Sequence, residues 1–193
     1  MEKEFIEDRL FEREDFSGRK FGKSEYDNCS FVNCNFQQAD LAETTFVNTK
    51  FSGCDLSLVR LKNTAFRDVV FKDCKMLGLR VEDCNLFGLA MSFNNCNLSH
   101  CTFYKLKLKK TVFERCFLRE ADFSECDLSG ATFEHCDLSG AVFSRTILEG
   151  ADLRSAFNYS IDPEINRLKK ARISLSGVPG LLHKYGLVID PEG

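Results

Sequence analysis

A large apolar residue recurs at every fifth position of this 193-residue chain. The series starts at Phe11 and runs through Phe16, Phe21, Tyr26, Phe31 and Phe36 to Leu86. After a two-residue slip it resumes at Phe93 and continues through Leu98, Phe103 and Leu108 to Leu153. All 29 centres are Phe, Leu, Met, Val or Tyr. On an α-helix a step of five residues would rotate the apolar side chain by about 140° and smear it around the cylinder. On a flat strand an odd step alternates faces. A chain that bends once per pentad keeps every centre pointing one way.

A second patterned site lies two residues before each centre. From Ser24 to Ala151 it holds 10 Cys, 5 Ala, 5 Thr, 2 Val, 2 Leu, 1 Ser and 1 Met, which places every cysteine of the protein there. Cys34, Cys54 and Cys74 are spaced by 20 residues, as are Cys96, Cys116 and Cys136, with a gap of 22 across the slip; Phe31, Phe51, Phe71 and Phe93, Phe113, Phe133 repeat the pattern. Period 20 means four pentads per coil, with like side chains stacked, and hence a square solenoid. At a strand spacing of about 4.8 Å, roughly seven coils make a rod on the order of 34 Å long. In this register the cysteines are small buried hydrophobes. Disulfides call for an oxidising compartment and zinc for C-x2-C or His partners, and the closest cysteine pairs here are five apart.

Ala39-Asp40-Leu41, Cys54-Asp55-Leu56-Ser57, Ala121-Asp122-Phe123-Ser124, Cys126-Asp127-Leu128-Ser129-Gly130 and Ala151-Asp152-Leu153-Arg154 carry a further likeness. Accumulated in register, they resemble the pentapeptide-repeat family, whose motif is roughly [A/C/S/T/V]-[D/N]-[L/F]-[S/T/R]-x. The resemblance implies an all-β, right-handed quadrilateral β-helix. The expected organisation is an N-terminal cap over 1–10, a β-helix over 11–157 with the slip near 88–92, and a C-terminal cap and dimerisation segment over 158–193. Arg9, Glu14 and Arg19 stand where Cys or Ala belongs, so the first turn is expected to be a frayed cap. After Phe157 the pentads stop. Asp162-Pro163 reads as a turn or helix start, Ser176 as the cap of a short helix ending at Gly186, and Leu187-Val188-Ile189 as a strand-like tail.

Chemistry finds little footing in such a rod. His100 and His135 adjoin Cys101 and Cys136, yet in this register the histidines point out and the cysteines in. The pattern offers no catalytic, cofactor-binding or metal-binding residues, and the chain is expected not to be an enzyme. Apolar runs such as Gly186 to Ile189 are far too short to cross a bilayer. The charged N-terminus lacks a signal sequence, so a cytoplasmic address is expected. A net charge of −3 argues against direct nucleic-acid binding by phosphate neutralisation.

The surface remains. The tail Gly180 to Asp190 resembles that of the Qnr and mycobacterial MfpA members of the family. That likeness implies a homodimer through Leu181, Leu182, Tyr185, Leu187 and Ile189. It also implies DNA mimicry toward a type II topoisomerase, DNA gyrase or topoisomerase IV, with quinolone resistance as the outcome. Residues 112 to 155 hold nine acidic and four basic side chains, and Asp122, Asp127, Glu134, Asp137 and Asp152 are the expected partner-binding acids. Lys105, Lys107, Lys109 and Lys110 interrupt any acidic stripe. The alternative is a structural scaffold with a non-topoisomerase protein partner, using outward apolar residues such as Leu58, Leu77, Phe87 and Phe117.

Overall fold

The computed structural model describes residues 4–190 and shows a four-sided parallel β-helix of about seven turns ending in a short helix. The first three residues of the expected N-terminal cap and the last three of the C-terminal segment lie outside the described residues. The strands are β1 (Glu4–Glu7), β2 (Leu10–Glu12), β3 (Ser24–Asp27), β4 (Ser30–Val32), β5 (Thr45–Val47), β6 (Lys50–Ser52), β7 (Ala65–Arg67), β8 (Val69–Lys72), β9 (Met91–Asn94), β10 (Val112–Glu114) and β11 (Thr132–Glu134). One side of the rod is the sheet β1-β3-β5-β7; the adjacent side is β2-β4-β6-β8-β9-β10-β11, and all these pairings are parallel. Phe11, Phe31, Phe51, Phe71, Phe93, Phe113 and Phe133 pair in succession, so the 20-residue period is the strand register. The other two sides are held by isolated parallel bridges, such as Asp15 to Asn35 to Asp55 and Lys20 to Asp40 to Arg60.

In most pentads the corner sits on the second residue after the centre. Asn28 (φ 50°), Asn33 (φ 54°), Leu58 (φ 58°) and Glu125 (φ 56°) all take the left-handed conformation there, and Gly53, Gly78 and Gly130 fill the same place. Left-handed backbone costs an ordinary L-residue roughly 1 kcal/mol. Each corner recovers a ladder bond: Asn33 N–H donates to Ser52 O (2.8 Å), Gly53 to Lys72 O (2.9 Å) and Arg115 to Glu134 O (2.7 Å).

Inside, like stacks on like. Phe31 and Phe51 lie 4.9 Å apart between ring centroids, Phe93 and Phe113 5.3 Å, and Phe113 and Phe133 5.0 Å, with interplanar angles of 9°, 5° and 4°. A second stack, Phe103, Phe123 and Phe143, meets the first edge-on; Phe103 and Phe113 are inclined at 82°. All ten cysteines are free and buried. Eight of the thiols donate to the carbonyl of a centre one coil below, as in Cys54 to Phe31 O (3.4 Å), Cys96 to Phe71 O (3.4 Å) and Cys136 to Phe113 O (3.3 Å). Thr64 and Thr146 do the same toward Leu41 O (2.7 Å) and Phe123 O (2.8 Å). The site two before each centre therefore selects a side chain that is small, and a short donor is accommodated there without an unpaired polar group. Burial pushes the Cys101 and Cys126 thiols up to about 12.

Pairing begins earlier and ends later than the pentad series. Glu4–Glu7, expected to belong to a cap, is β1, and Ile6 packs against the core as a further centre. Arg9 and Arg19 nevertheless lie at the open end, with guanidinium carbons 5.2 Å and 5.5 Å from the Phe11 and Phe16 ring centroids. Charge there keeps an exposed sheet edge from recruiting another strand. At the other end Ile147 bridges Arg167 and Asp152 bridges Arg172, well past Phe157. Ala156, Ile161 and Asn166 keep the inward site filled, and Tyr159 is buried in place of the missing centre. Asn166 is neutralised by three bonds: it donates to Phe143 O and Asp162 O and accepts from Thr146 N–H.

The slip is absorbed on one side only. On the other three, bridges resume with a 22-residue step: Val69 to Met91, Lys75 to Asn97 and Arg80 to Thr102. Leu86, expected to face inward, is instead 55% exposed, and Leu89 packs against the core. Ala90 N–H donates to Phe66 O (3.0 Å) and Ala90 O accepts from Val69 N–H (3.1 Å), which returns the chain to register.

Replacing Phe113 by Ala, in the middle of the ring stack, should cost about 3–5 kcal/mol. Phe11→Ala at the open end should cost less; urea denaturation of the two variants measures the difference, and equal losses would contradict the stack. Thiol labelling of the native protein should be slow for all ten cysteines and complete only after unfolding. Fast modification of several in the folded state would contradict the register.

Candidate functional site

With the interior filled, the residues free to meet a partner are those just before a centre and the two after it. An aspartate just before a centre has a local task. Its carboxylate accepts from the N–H two residues on: Asp55 from Ser57 (2.9 Å), Asp122 from Ser124 (2.8 Å), Asp127 from Ser129, Asp137 from Ser139 (both 3.1 Å) and Asp152 from Arg154 (3.2 Å). Four of the five expected partner-binding acids are thus turn formers that hold the coil.

Most are also paired with a cation. Asp127 faces Lys109 (3.1 Å), and Asp152 meets Arg154 (2.7 Å) and Arg172 (3.3 Å). Asp137 binds Arg119 at 2.6 Å with its side chain only 2% exposed, and accepts from Asn158 (3.0 Å). Burial alone would raise its pKa; bonds from Ser139, Arg119 and Asn158 outweigh that and hold the carboxyl at about 2. Glu134 is the exposed member of the set on β11. The structure does not bring the five together: Glu134 and Asp152 lie on the side of the longer sheet, and Asp122, Asp127 and Asp137 each on another side.

The pairing is systematic. Asp40–Arg60 (3.4 Å), Asp55–Lys75 (3.3 Å), Lys23–Glu43 (3.3 Å), His100–Glu120 (3.3 Å) and Lys105–Glu125 (3.4 Å) join residues 20 apart, directly above one another. Exposed pairs of this kind contribute little to stability individually, but each one fits only a single register. His100 and His135 face outward while Cys101 and Cys136 are buried, so the histidine–cysteine neighbours diverge as expected. Among the described residues no group of three or more His, Cys, Asp or Glu could hold a metal ion, and no helix is long and apolar enough to cross a membrane.

The C-terminal end is a built cap. A 3-10 turn over Leu175–Gly177 leads into α1 (Pro179–Leu182) and a second 3-10 turn, His183–Tyr185, stopped by Gly186 at φ 61°. Ser176 lies in the first turn and does not cap α1; Pro179, at the start of the helix, supplies the fixed φ instead. Gly180 O accepts from Ile161 N–H (2.9 Å), Lys184 binds Asp162 (2.7 Å), and Tyr185 donates to Glu164 (2.8 Å). Leu187-Val188-Ile189 makes no strand pairing. Of the expected dimer-interface residues, Leu181 packs on the core as a lid and Leu182 is half-buried, whereas Tyr185, Leu187 and Ile189 are exposed. Leu175 and Val188, outside the expected interface set, are 88% and 99% exposed. Their apolar character beside the expected set was the available signal.

Comparison with known proteins agrees with this architecture. A trypsin-treated form of QnrB1, a plasmid-mediated fluoroquinolone resistance protein, superposes with a TM-score of 0.61 at 22% identity, over 97% of this chain and 92% of that one. HetL, a pentapeptide repeat protein involved in heterocyst differentiation regulation in the cyanobacterium Nostoc sp. strain PCC 7120, superposes with a TM-score of 0.54 at 21% identity, over 88% of this chain and 85% of that one. No curated protein sequence matches the chain significantly. A model of pentapeptide repeats in nine copies matches residues 31–75, and one of the pentapeptide repeat region matches residues 89–156. Together these cover more than half of a chain whose geometry repeats every five residues, and the chain belongs to the pentapeptide-repeat family.

Proposed function

We propose that this chain is a non-enzymatic, protein-binding rod that acts as a two-fold dimer joined at its C-terminal caps. The observation that carries the reading is the apolar surface of that cap. Leu175, Val188, Leu187, Tyr185 and Ile189 stay exposed although Leu181 already covers the last coil. A lid needs one apolar face; the second face suits self-association. Two rods end to end would span roughly 70 Å at the coil spacing.

For the partner, the observations favour a scaffold role with a non-topoisomerase protein over imitation of DNA. A DNA mimic presents uncompensated negative charge on the face that its partner sees. Here Asp127, Asp137 and Asp152 are neutralised by Lys109, Arg119, Arg154 and Arg172, and the five acids are spread around the rod. QnrB1 and HetL carry different roles on this one fold, so the choice of partner rests on the surface and not on the coil.

Light scattering at micromolar concentration should report a dimer, and Leu187→Glu with Val188→Glu should give a monomer with an unchanged melting temperature. A monomeric wild-type protein would refute the assembly. Excess protein should leave gyrase supercoiling and its fluoroquinolone sensitivity unchanged. Protection that is lost on Glu134→Gln would restore the DNA-imitating reading.

A further inference from the structure

The slip creates a surface that the repeat itself would never produce. Where every regular coil buries its centre, residues 85–90 swing out of one side and leave Leu86 55% and Phe87 80% exposed. The surrounding register is intact, because the other three sides close around the bulge with the 22-residue step. The ends of the bulge are held: Asn85 N–H donates to Thr64 O, Phe87 N–H to the Asn85 side chain (3.0 Å), and Ala90 N–H to Phe66 O. Two large apolar side chains are thus displayed on a structured projection halfway along the rod.

Cations rim this projection. Arg67 lies one coil below, with its guanidinium carbon 5.9 Å from the Phe87 ring centroid and its buried Nε without a hydrogen-bond partner. Lys107, Lys109 and Lys110 follow in the next coil on the same side, where Lys107 bridges Asp127. Lys109 is engaged by Asp127; Lys107 and Lys110 make no ion pair among the described residues. Of the nearby carboxylates, Asp68 lies beside Arg67, and Asp83, just before the bulge, is engaged by Arg80 (3.5 Å). Arg67, Lys107 and Lys110 thus put positive charge beside an exposed aromatic ring.

We propose that residues 85–90 form a docking knob for a second protein whose surface offers an apolar socket ringed by carboxylates. An aromatic anchor that becomes fully buried, encircled by complementary charge, is the arrangement that concentrates binding energy at protein interfaces. An anionic bilayer is a poorer match: the apolar projection is two residues, far smaller than the amphipathic face that holds a protein in a bilayer interface. The proposal extends the protein-binding reading to a surface separate from the C-terminal cap, so its failure would leave dimerisation untouched.

The chain contains no Trp, so Phe87→Trp places a single fluorescent reporter on the knob. A short synthetic peptide alternating Glu with Leu and Phe should shift its emission to the blue, saturably and less so as salt rises. Lys107→Glu with Lys110→Glu should weaken that binding about tenfold at an unchanged melting temperature. The same peptide with Lys in place of Glu, and phosphatidylglycerol vesicles, should leave the emission unshifted. No shift with the acidic peptide, an equal shift with the basic one, or a shift with vesicles would each overturn the proposal.

Discussion

The structure depends on direct stacking of identical positions at the spacing of parallel strands. Ring centroids of Phe93, Phe113 and Phe133 follow one another at 5.3 Å and 5.0 Å, nearly parallel. That distance matches both the strand spacing and a favourable offset stack of aromatic rings. Where a thiol or hydroxyl stands two residues before a centre, as at Cys54, Thr64 and Cys136, it reaches a carbonyl one coil below, so small inward residues also bind coil to coil. Because each coil contacts only its neighbours, stability accumulates along the rod. Both ends then need separate treatment: guanidinium groups over Phe11 and Phe16 at one, and the Leu181 lid at the other.

The same stacking governs the surface. Residues 20 apart stand directly above one another, and Asp40–Arg60, Asp55–Lys75 and Lys105–Glu125 use that coincidence. Acidic side chains that look like a functional patch when counted along the chain become, in three dimensions, turn formers with cations overhead. This is why local acidity between 112 and 155 overstates what a partner would meet. Beside the bulge at residues 85–90, by contrast, Lys107 and Lys110 make no ion pair among the described residues.

The bulge shows how a solenoid tolerates an insertion. Two extra residues on one side leave three sides free to resume pairing, and the Phe71 to Phe93 stack crosses the step at 5.5 Å. Leu89 occupies the space that Leu86 vacates. A departure from the repeat is therefore confined laterally and becomes surface relief, whereas the core is continuous from β2 to β11.

By itself the sequence determined the coil: the five-residue apolar period selects one inward direction, the 20-residue ladders count four pentads per turn, and the confinement of cysteine to one site predicts ten buried free thiols. These are properties of position along the chain, and stacking at a fixed spacing converts position into space. Its limits were legible less clearly, because Tyr159 and Asn166 fill inward places with residue types outside the pattern. Tertiary structure alone decided that Leu86 leaves the core and Leu89 enters it, that Ser176 caps nothing, and that Asp137 is consumed by Arg119 and Asn158. Those outcomes rest on competition among neighbours in adjacent coils for one space or one charge, and a repeat read along the chain records the place but not the winner.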